Sequence, residues 1–197
     1  MTSIYFVRHA QPDLSIKDNY IRPLSKLGEK DSITVCDILS DIKFSALYSS
    51  TYKRSYQTIE PLAKRLNKEI IQIENLKERL YGKRDVPIDV YFYNQWKDFN
   101  YKCEGGESLN EVIARNVSII DDLVIKHNNQ NVLIGYHGTN LCAILNYYTK
   151  SFKYEDFLKY KPLLPLVIKM NFEDGKFVNY EELFSIPRDY EDSEKLI

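Results

Sequence analysis

The sequence predicts an α/β fold, a three-layer α/β/α sandwich around a mostly parallel central sheet. Three observations carry this. Short β-rich runs, Ile4-Tyr5-Phe6-Val7 and Val132-Leu133-Ile134, stop at polar residues as buried strands do. Helical patterns lie between the runs, and alternating strands and helices imply a parallel sheet with helices on both faces. Two of the runs are followed by histidines, His9 and His137. Open α/β sheets bind ligands beyond the carboxyl ends of their strands, so both imidazoles are expected at one rim.

The first strand is expected over Ser3 to Val7, followed by a polar loop from Gln11 to Pro23. Ser25 is a plausible N-cap for a helix with Leu27, Val35, Ile38, Leu39 and Ile42 as its apolar stripe. Ala46 to Ser49 reads as a second strand. A helix from about Thr51 follows, with Tyr52, Tyr56, Ile59, Leu62, Ala63 and Leu66 on one face. Pro61 lies inside that pattern and should kink or interrupt it. Ile70 to Ile73 is the third strand. Residues 74 to 106 show no clean period and are expected to form an insertion with a short helix near Tyr91-Trp96. Ser108 and Glu111 form a capping box, opening a helix toward His127 with Leu109, Val112, Ile113, Val117, Ile120, Leu123 and Val124 as its stripe. Asn131 to Tyr136 is the fourth strand and Thr139 to Tyr148 the next helix. Leu166 to Phe172 and Lys176 to Tyr180 flank Asp174-Gly175, a hairpin signal. The last dozen residues read as surface tail.

At 197 residues, with no repeat or linker, the chain is expected to form one domain over 1-197, with an insertion or lid at about 79-106. A formal net charge of −1 argues against a nucleic-acid binder. No apolar run approaches the ~20 residues of a membrane helix. With the first strand expected within a few residues of Met1, no signal peptide is expected. The three cysteines, Cys36, Cys103 and Cys142, have neither disulfide nor C-x-x-C metal spacing. A cytoplasmic location, as a monomer or homodimer, is the expectation. Most of the 16 tyrosines should be half-buried packing, since the ring is apolar and the tip polar.

The loops after four strands bring together Arg8 and His9, Arg54 in the first turn of a helix, Glu78, and His137. This set suits phosphoryl transfer. A neutral imidazole is a competent nucleophile toward phosphorus. Fixed cations stabilise charge spread over the transferring oxygens, and the planar arginine fork matches two oxygens at once. A carboxylic acid can protonate the leaving alkoxide and later deprotonate water. His9 must be neutral to attack, whereas His137 would serve better protonated, so their environments should push the two pKa values apart. An acidic to neutral optimum is expected, with activity falling on the alkaline side.

Val7-Arg8-His9-Ala10 resembles the Arg-His-Gly signature of the histidine phosphatase superfamily, which includes the cofactor-dependent phosphoglycerate mutases. Tyr48-Ser49-Ser50-Thr51-Tyr52-Lys53-Arg54-Ser55-Tyr56-Gln57-Thr58 is similar to its Tyr-Ser-Ser…Arg-Ala…Gln-Thr motif. Leu76-Lys77-Glu78 with Gly82 resembles its L-x-E-x-x-x-G segment. Gly106-Glu107-Ser108 and His137-Gly138 match two further motifs in order, covering roughly residues 3 to 150. The resemblance implies a phosphoglycerate mutase-like fold. It also implies a metal-independent phosphomonoesterase that acts on a small phosphorylated metabolite without a cofactor, from the small-phosphatase branch. By position, His9 would be the phosphorylated nucleophile, Arg8, Arg54 and His137 the phosphate clamp, and Glu78 the proton donor. Arg22 resembles a position near the substrate in some members. Ala10 replaces the usual glycine, and Lys83-Arg84-Asp85 stands where the family often has Trp-Glu-Gly. Lys83 and Arg84 are therefore candidates for binding the remote part of the substrate.

His9, His137 and Glu78 make a possible zinc ligand set, but Arg8 and Arg54 would repel a cation. A phosphoglycerate mutase needs a covered site that excludes water, and the chain has little room for the longer insertions of such enzymes. A non-catalytic phospho-ligand binder would typically lack a nucleophile or clamp residue, and none is missing. His127, at a helix C-terminus, reads most simply as a favourable dipole partner.

Overall fold

The computed structural model describes residues 1–188; most of the last dozen residues, read above as surface tail, lie outside the described residues. Six strands form one sheet: β1 (Thr2–Arg8), β2 (Phe44–Ser50), β3 (Ile70–Ile73), β4 (Asn131–Tyr136), β5 (Leu163–Glu173) and β6 (Lys176–Pro187). Their spatial order is β3-β2-β4-β1-β5-β6. The first four are mutually parallel; β5 runs antiparallel to β1, and β6 antiparallel to β5. The helices are α1 (Lys26–Leu39), α2 (Lys53–Arg65), α3 (Ile88–Lys97), α4 (Leu109–Lys126), α5 (Gly138–Thr149) and α6 (Tyr154–Tyr160). None of the described helices is long and apolar enough to cross a membrane.

The alternation of side chains along a strand decides the layers. In β1, Tyr5 and Val7 pack with Val35, Leu39, Ile59 and Leu62 of α1 and α2. Ile4 and Phe6 point the other way, into a cluster built from α3 to α6. Arg8 continues the parity of Ile4 and Phe6, so its guanidinium is delivered to the α3–α6 side. The capping box at Ser108 forms as expected, and every apolar residue of the α4 stripe is buried. Asp174 and Gly175 both adopt positive φ, 50° and 78°, which a two-residue hairpin of the I′ type demands.

Several expectations are corrected. In α1 the buried face is Gly28, Asp31, Ser32, Val35, Cys36 and Leu39, so Leu27 and Ile38 are exposed and Ile42 lies past the helix end. The loop residue Gln11 sets this rotation. Its carbonyl sits where a Cβ on Gly28 would be, 2.2 Å away, so that face of the helix turns inward. Pro61 does not interrupt α2. Only one helical turn follows it, so little beyond the bond to the Gln57 carbonyl is forfeited. The short helix α6 was not anticipated, and β5 and β6 extend beyond their expected ends. His127 is no charged dipole partner. Its ring is buried, bonded through Nδ1 to Ser45 Oγ at 3.0 Å and through Nε2 to Tyr48 Oη at 3.0 Å. Burial pushes its pKa down, favouring the neutral imidazole.

Candidate active site

The carboxyl ends of β1, β2 and β4 and the loop after β3 meet where the sequence placed its polar residues. Arg8, His9, Arg54, Glu78 and His137 are all buried. The His9 and His137 rings lie 5.3 Å apart, edge to face. Arg54 Nε donates to His9 Nε2 at 3.1 Å, and its Nη1 donates to the Asn19 carbonyl at 2.7 Å. His9 Nδ1 lies 2.8 Å from the Ala10 carbonyl. A carbonyl can only accept, so Nδ1 carries the proton and the Nε2 lone pair faces Arg54.

Arg8 is held from the far side. Its Nη1 donates to the carbonyls of Tyr160, Lys161 and Leu163 at 2.7, 3.0 and 3.0 Å. Gly138 is required beside it, because a Cβ there would stand 2.6 Å from the Arg8 guanidinium carbon. Glu78 Oε1 accepts from the Arg79 N–H at 2.9 Å and Oε2 from the Thr139 N–H at 3.3 Å. Asn140 pins the same segment to α5, accepting from the Arg79 N–H at 3.1 Å and donating to the Lys77 carbonyl at 2.7 Å. His137 Nε2 lies 2.8 Å from Ser50 Oγ, and the Tyr52 ring packs on the imidazole at 5.2 Å.

The electrostatics correct one expectation. His137 is not favoured in the protonated form expected of it: both imidazoles are shifted downward. Burial, followed by the charges of Arg54 and Arg8, holds His9 well below the ordinary histidine range. Burial, Arg54 and the neighbouring His9 do the same to His137. Both sit in one desolvated, cationic pocket, which penalises any further positive charge on either ring.

Arg22 is turned into its own loop, donating to the carbonyls of Ile16 at 2.7 Å and Lys17 at 3.0 Å. That loop carries Asn19, whose carbonyl braces Arg54, and the Arg22 charge reaches His9. Lys83 is exposed, bonded through its backbone to Glu104, and Arg84 stands 6.0 Å from the Tyr81 ring. Neither lines the recess beside Glu78. That recess, with about 40 Å³ of free volume, is walled by Arg8, Glu78, Tyr81, Phe92, Phe157 and Lys161. Behind Tyr81 and Phe92, Arg79 is fully buried, its guanidinium 4.3 Å from the Tyr81 ring and bonded to Gln95. Sequence reasoning missed Ser50, Asn140 and Lys161. Ser50 was in plain view within the Tyr-Ser-Ser motif, and Asn140 follows His137 by three residues. Nothing in sequence marks the three carbonyls that hold Arg8. Among the described residues no group of three His, Cys, Asp or Glu side chains is disposed to hold a metal ion.

A family model describing the histidine phosphatase superfamily (branch 1) matches residues 4–181. Phosphoserine phosphatase 1 of Hydrogenobacter thermophilus is 28% identical over 165 residues, 74% of this chain and 77% of that protein. A metal-independent phosphoserine phosphatase of Arabidopsis thaliana is 27% identical over 160 residues, 73% of this chain and 67% of that protein. Among solved structures, a phosphoserine phosphatase from Entamoeba histolytica superposes with a TM-score of 0.76 at 18% identity, covering 94% of this chain and 96% of that one. The chain thus belongs to the histidine phosphatase superfamily, in its branch 1, and is a phosphatase.

Proposed function

We propose that this phosphatase hydrolyses a small phosphomonoester without a metal ion, through a phosphohistidine at His9. The observation that carries the proposal is the His9 tautomer: the Ala10 carbonyl accepts a hydrogen bond from Nδ1–H, which leaves the Nε2 lone pair in the pocket. Nε2 attacks phosphorus, and the bond to the ester oxygen breaks as Glu78 gives that oxygen a proton. Water then attacks the phosphohistidine, giving a proton to Glu78 as the P–N bond breaks and His9 is restored. Arg54 and Arg8 would bind the equatorial oxygens, Arg54 exchanging its bond to Nε2 for one to phosphate. Arg22 supports Arg54 through the Asn19 loop. The relatives named as phosphoserine phosphatases make phosphoserine the first metabolite to try. The near-neutral net charge supports a small-molecule partner over nucleic acid, and a cytoplasmic setting fits such a metabolite.

The test is turnover of p-nitrophenyl phosphate in EDTA, with acid-labile, base-stable phosphate trapped on the protein during steady state. Loss of turnover on chelation, or labelling that survives His9→Ala, overturns the proposal. A mutase remains the competing chemistry. Conversion of 3-phosphoglycerate outpacing phosphate release, with a bisphosphoglycerate primer, would favour it.

A further inference from the structure

Ser50 and His137 stand at the ends of β2 and β4, and a neutral imidazole there can meet a phosphate oxygen only as a hydrogen-bond donor, so the question is which ring nitrogen carries the proton. Hydrogen-bond accounting supplies the answer. The Tyr52 N–H donates to Ser50 Oγ at 3.1 Å, so that hydroxyl already accepts one bond. His137 Nε2 lies 2.8 Å from the same oxygen. His137 Nδ1 is buried with no hydrogen-bond partner among the described residues.

Two tautomers are possible. With the proton on Nε2, Ser50 would accept twice. Its own hydrogen would have no acceptor among the described residues, and the Nδ1 lone pair would also be stranded. With the proton on Nδ1, Ser50 donates to Nε2 and only one group, the Nδ1–H, waits for a partner. Each stranded buried polar group costs about 1–3 kcal/mol, so the second arrangement wins.

We propose that Ser50 is a positioning residue that fixes His137 as the Nδ1–H tautomer, making it a neutral hydrogen-bond donor to a phosphate oxygen. The bond the free protein lacks is the one the substrate supplies. A donor held ready costs no reorganisation when charge develops on that oxygen. Burial and the Arg54 charge keep the ring neutral, and this arrangement needs no added charge. The inference rests on the phosphatase reading only for the identity of the acceptor; the tautomer is a property of the free protein.

The experiment is therefore split. In the full chain labelled with 15N-histidine, His137 should show a pyrrole-type Nδ1 and a pyridine-type Nε2 at pH 7.5. Adding orthovanadate should move the Nδ1 resonance. Ser50→Ala should bring the Nε2–H form into the tautomer mixture and lower kcat/KM for p-nitrophenyl phosphate roughly tenfold or more, the worth of one hydrogen bond to a charged group. Ser50→Thr, which keeps the hydroxyl, should restore both. An Nε2–H or doubly protonated ring in the wild-type chain overturns the inference whatever the variants do, as does a Ser50→Ala protein with unchanged turnover. Failure of the phosphatase reading looks different: the wild-type tautomer is as stated, and no phosphate ester is turned over.

Discussion

All three histidines of this chain are buried and all three have lowered pKa values, yet they sit at opposite ends of the sheet and do different things. At the amino end, His127 is saturated. Ser45 Oγ donates to the Asn131 carbonyl at 3.0 Å, so it accepts from Nδ1–H, while Tyr48 Oη, bonded also by Lys126 Nζ at 3.3 Å, completes Nε2. No bonding capacity is left over, and the ring is structural mortar between β2 and α4. At the carboxyl end the accounts stay open. His9 Nε2 is bonded by a guanidinium able to transfer that bond to phosphate, and His137 Nδ1 has no partner. A shifted pKa is common to both ends, so it does not distinguish function from structure. Hydrogen-bonding capacity in a buried ring that is unspent, as at His137, or held by a group able to pass its bond to phosphate, as at His9, does.

The sharpest way to break this comparison is to delete each ring in turn. His9→Ala should reduce turnover of p-nitrophenyl phosphate to background, since the bond-forming atom is gone. His137→Ala should cost about a hundredfold or more in kcat/KM, the typical loss of one transition-state donor. His127→Ala should leave kcat/KM within a few-fold but destabilise the fold by about 1–3 kcal/mol, through the unpaired Ser45 and Tyr48 hydroxyls. Urea denaturation beside steady-state assays of the three variants reads both effects. Catalytic collapse in His127→Ala at full occupancy of the native state would show that His127 is not merely structural.

The arginines extend the contrast. Arg54→Ala and Arg8→Ala should each lower kcat/KM about a hundredfold or more. The stability effects should differ: Arg8 is tied to three carbonyls at the α6–β5 junction, so its loss also strands those groups. A lower urea midpoint for Arg8→Ala than for Arg54→Ala is expected, and the reverse order would show that the carbonyl brace is dispensable.

Acid sharpens the comparison in a different way. Each buried histidine titrates near 6.5 when the chain is unfolded and lower when it is folded. Below about pH 6.5 the unfolded chain therefore binds protons that the native state refuses, and stability falls as pH falls. The slope for a deeply buried ring approaches about 1.4 kcal/mol per pH unit. Above that range the histidines contribute nothing to the pH dependence. The lowered carboxylates, such as Glu107 and Asp156, titrate at more acid pH, so the window from about 5.5 to 7.5 isolates the imidazoles. The same directions move the acid limb of kcat/KM below the ordinary histidine value, because His9 stays neutral there. A urea midpoint that is flat or rises on acidification across this window would show that the rings are not held neutral.

What could be read in the sequence follows from where the information lies. Strand-ending His9 and His137, the Ser108 capping box and the Asp174-Gly175 turn are local chemistry, and each appears where its residues placed it. The α1 face was misread because its rotation is set by a contact with Gln11, seventeen residues before Gly28, which periodicity does not record. The brace on Arg8 was invisible for a deeper reason: carbonyls have no residue identity, and the segment carrying them gave no helical pattern strong enough to place α6. The expected charge on His137 was not legible because the desolvation that lowers its pKa comes from the packed fold and not from its sequence neighbours.

The smallest expected effect concerns selectivity. Lys83 and Arg84 were the sequence's candidates for the remote part of the substrate, but the recess beside Glu78 and Arg8 is bordered by Lys161, from the turn that also braces Arg8. Lys161 Nζ stands 5.1 Å from the Phe92 ring and 3.3 Å from Asp89 Oδ1, whose side chain is largely exposed. The Asp89 carboxylate is open to water, so a substrate carboxylate placed in the recess can compete with it for the ammonium. With about 40 Å³ of free volume, the recess fits a group of a few atoms beyond the phosphate. Lys161→Met keeps the stem against Phe92 and removes the charge. It should lower kcat/KM for phosphoserine and 3-phosphoglycerate by roughly threefold to tenfold relative to p-nitrophenyl phosphate, because the lost contact is to the remote group and not to the reacting one. Lys83→Ala should leave that ratio unchanged. Equal losses on all three esters would mean Lys161 acts on the phosphate through Arg8, and a shifted ratio in Lys83→Ala alone would return selectivity to the loop where the sequence placed it.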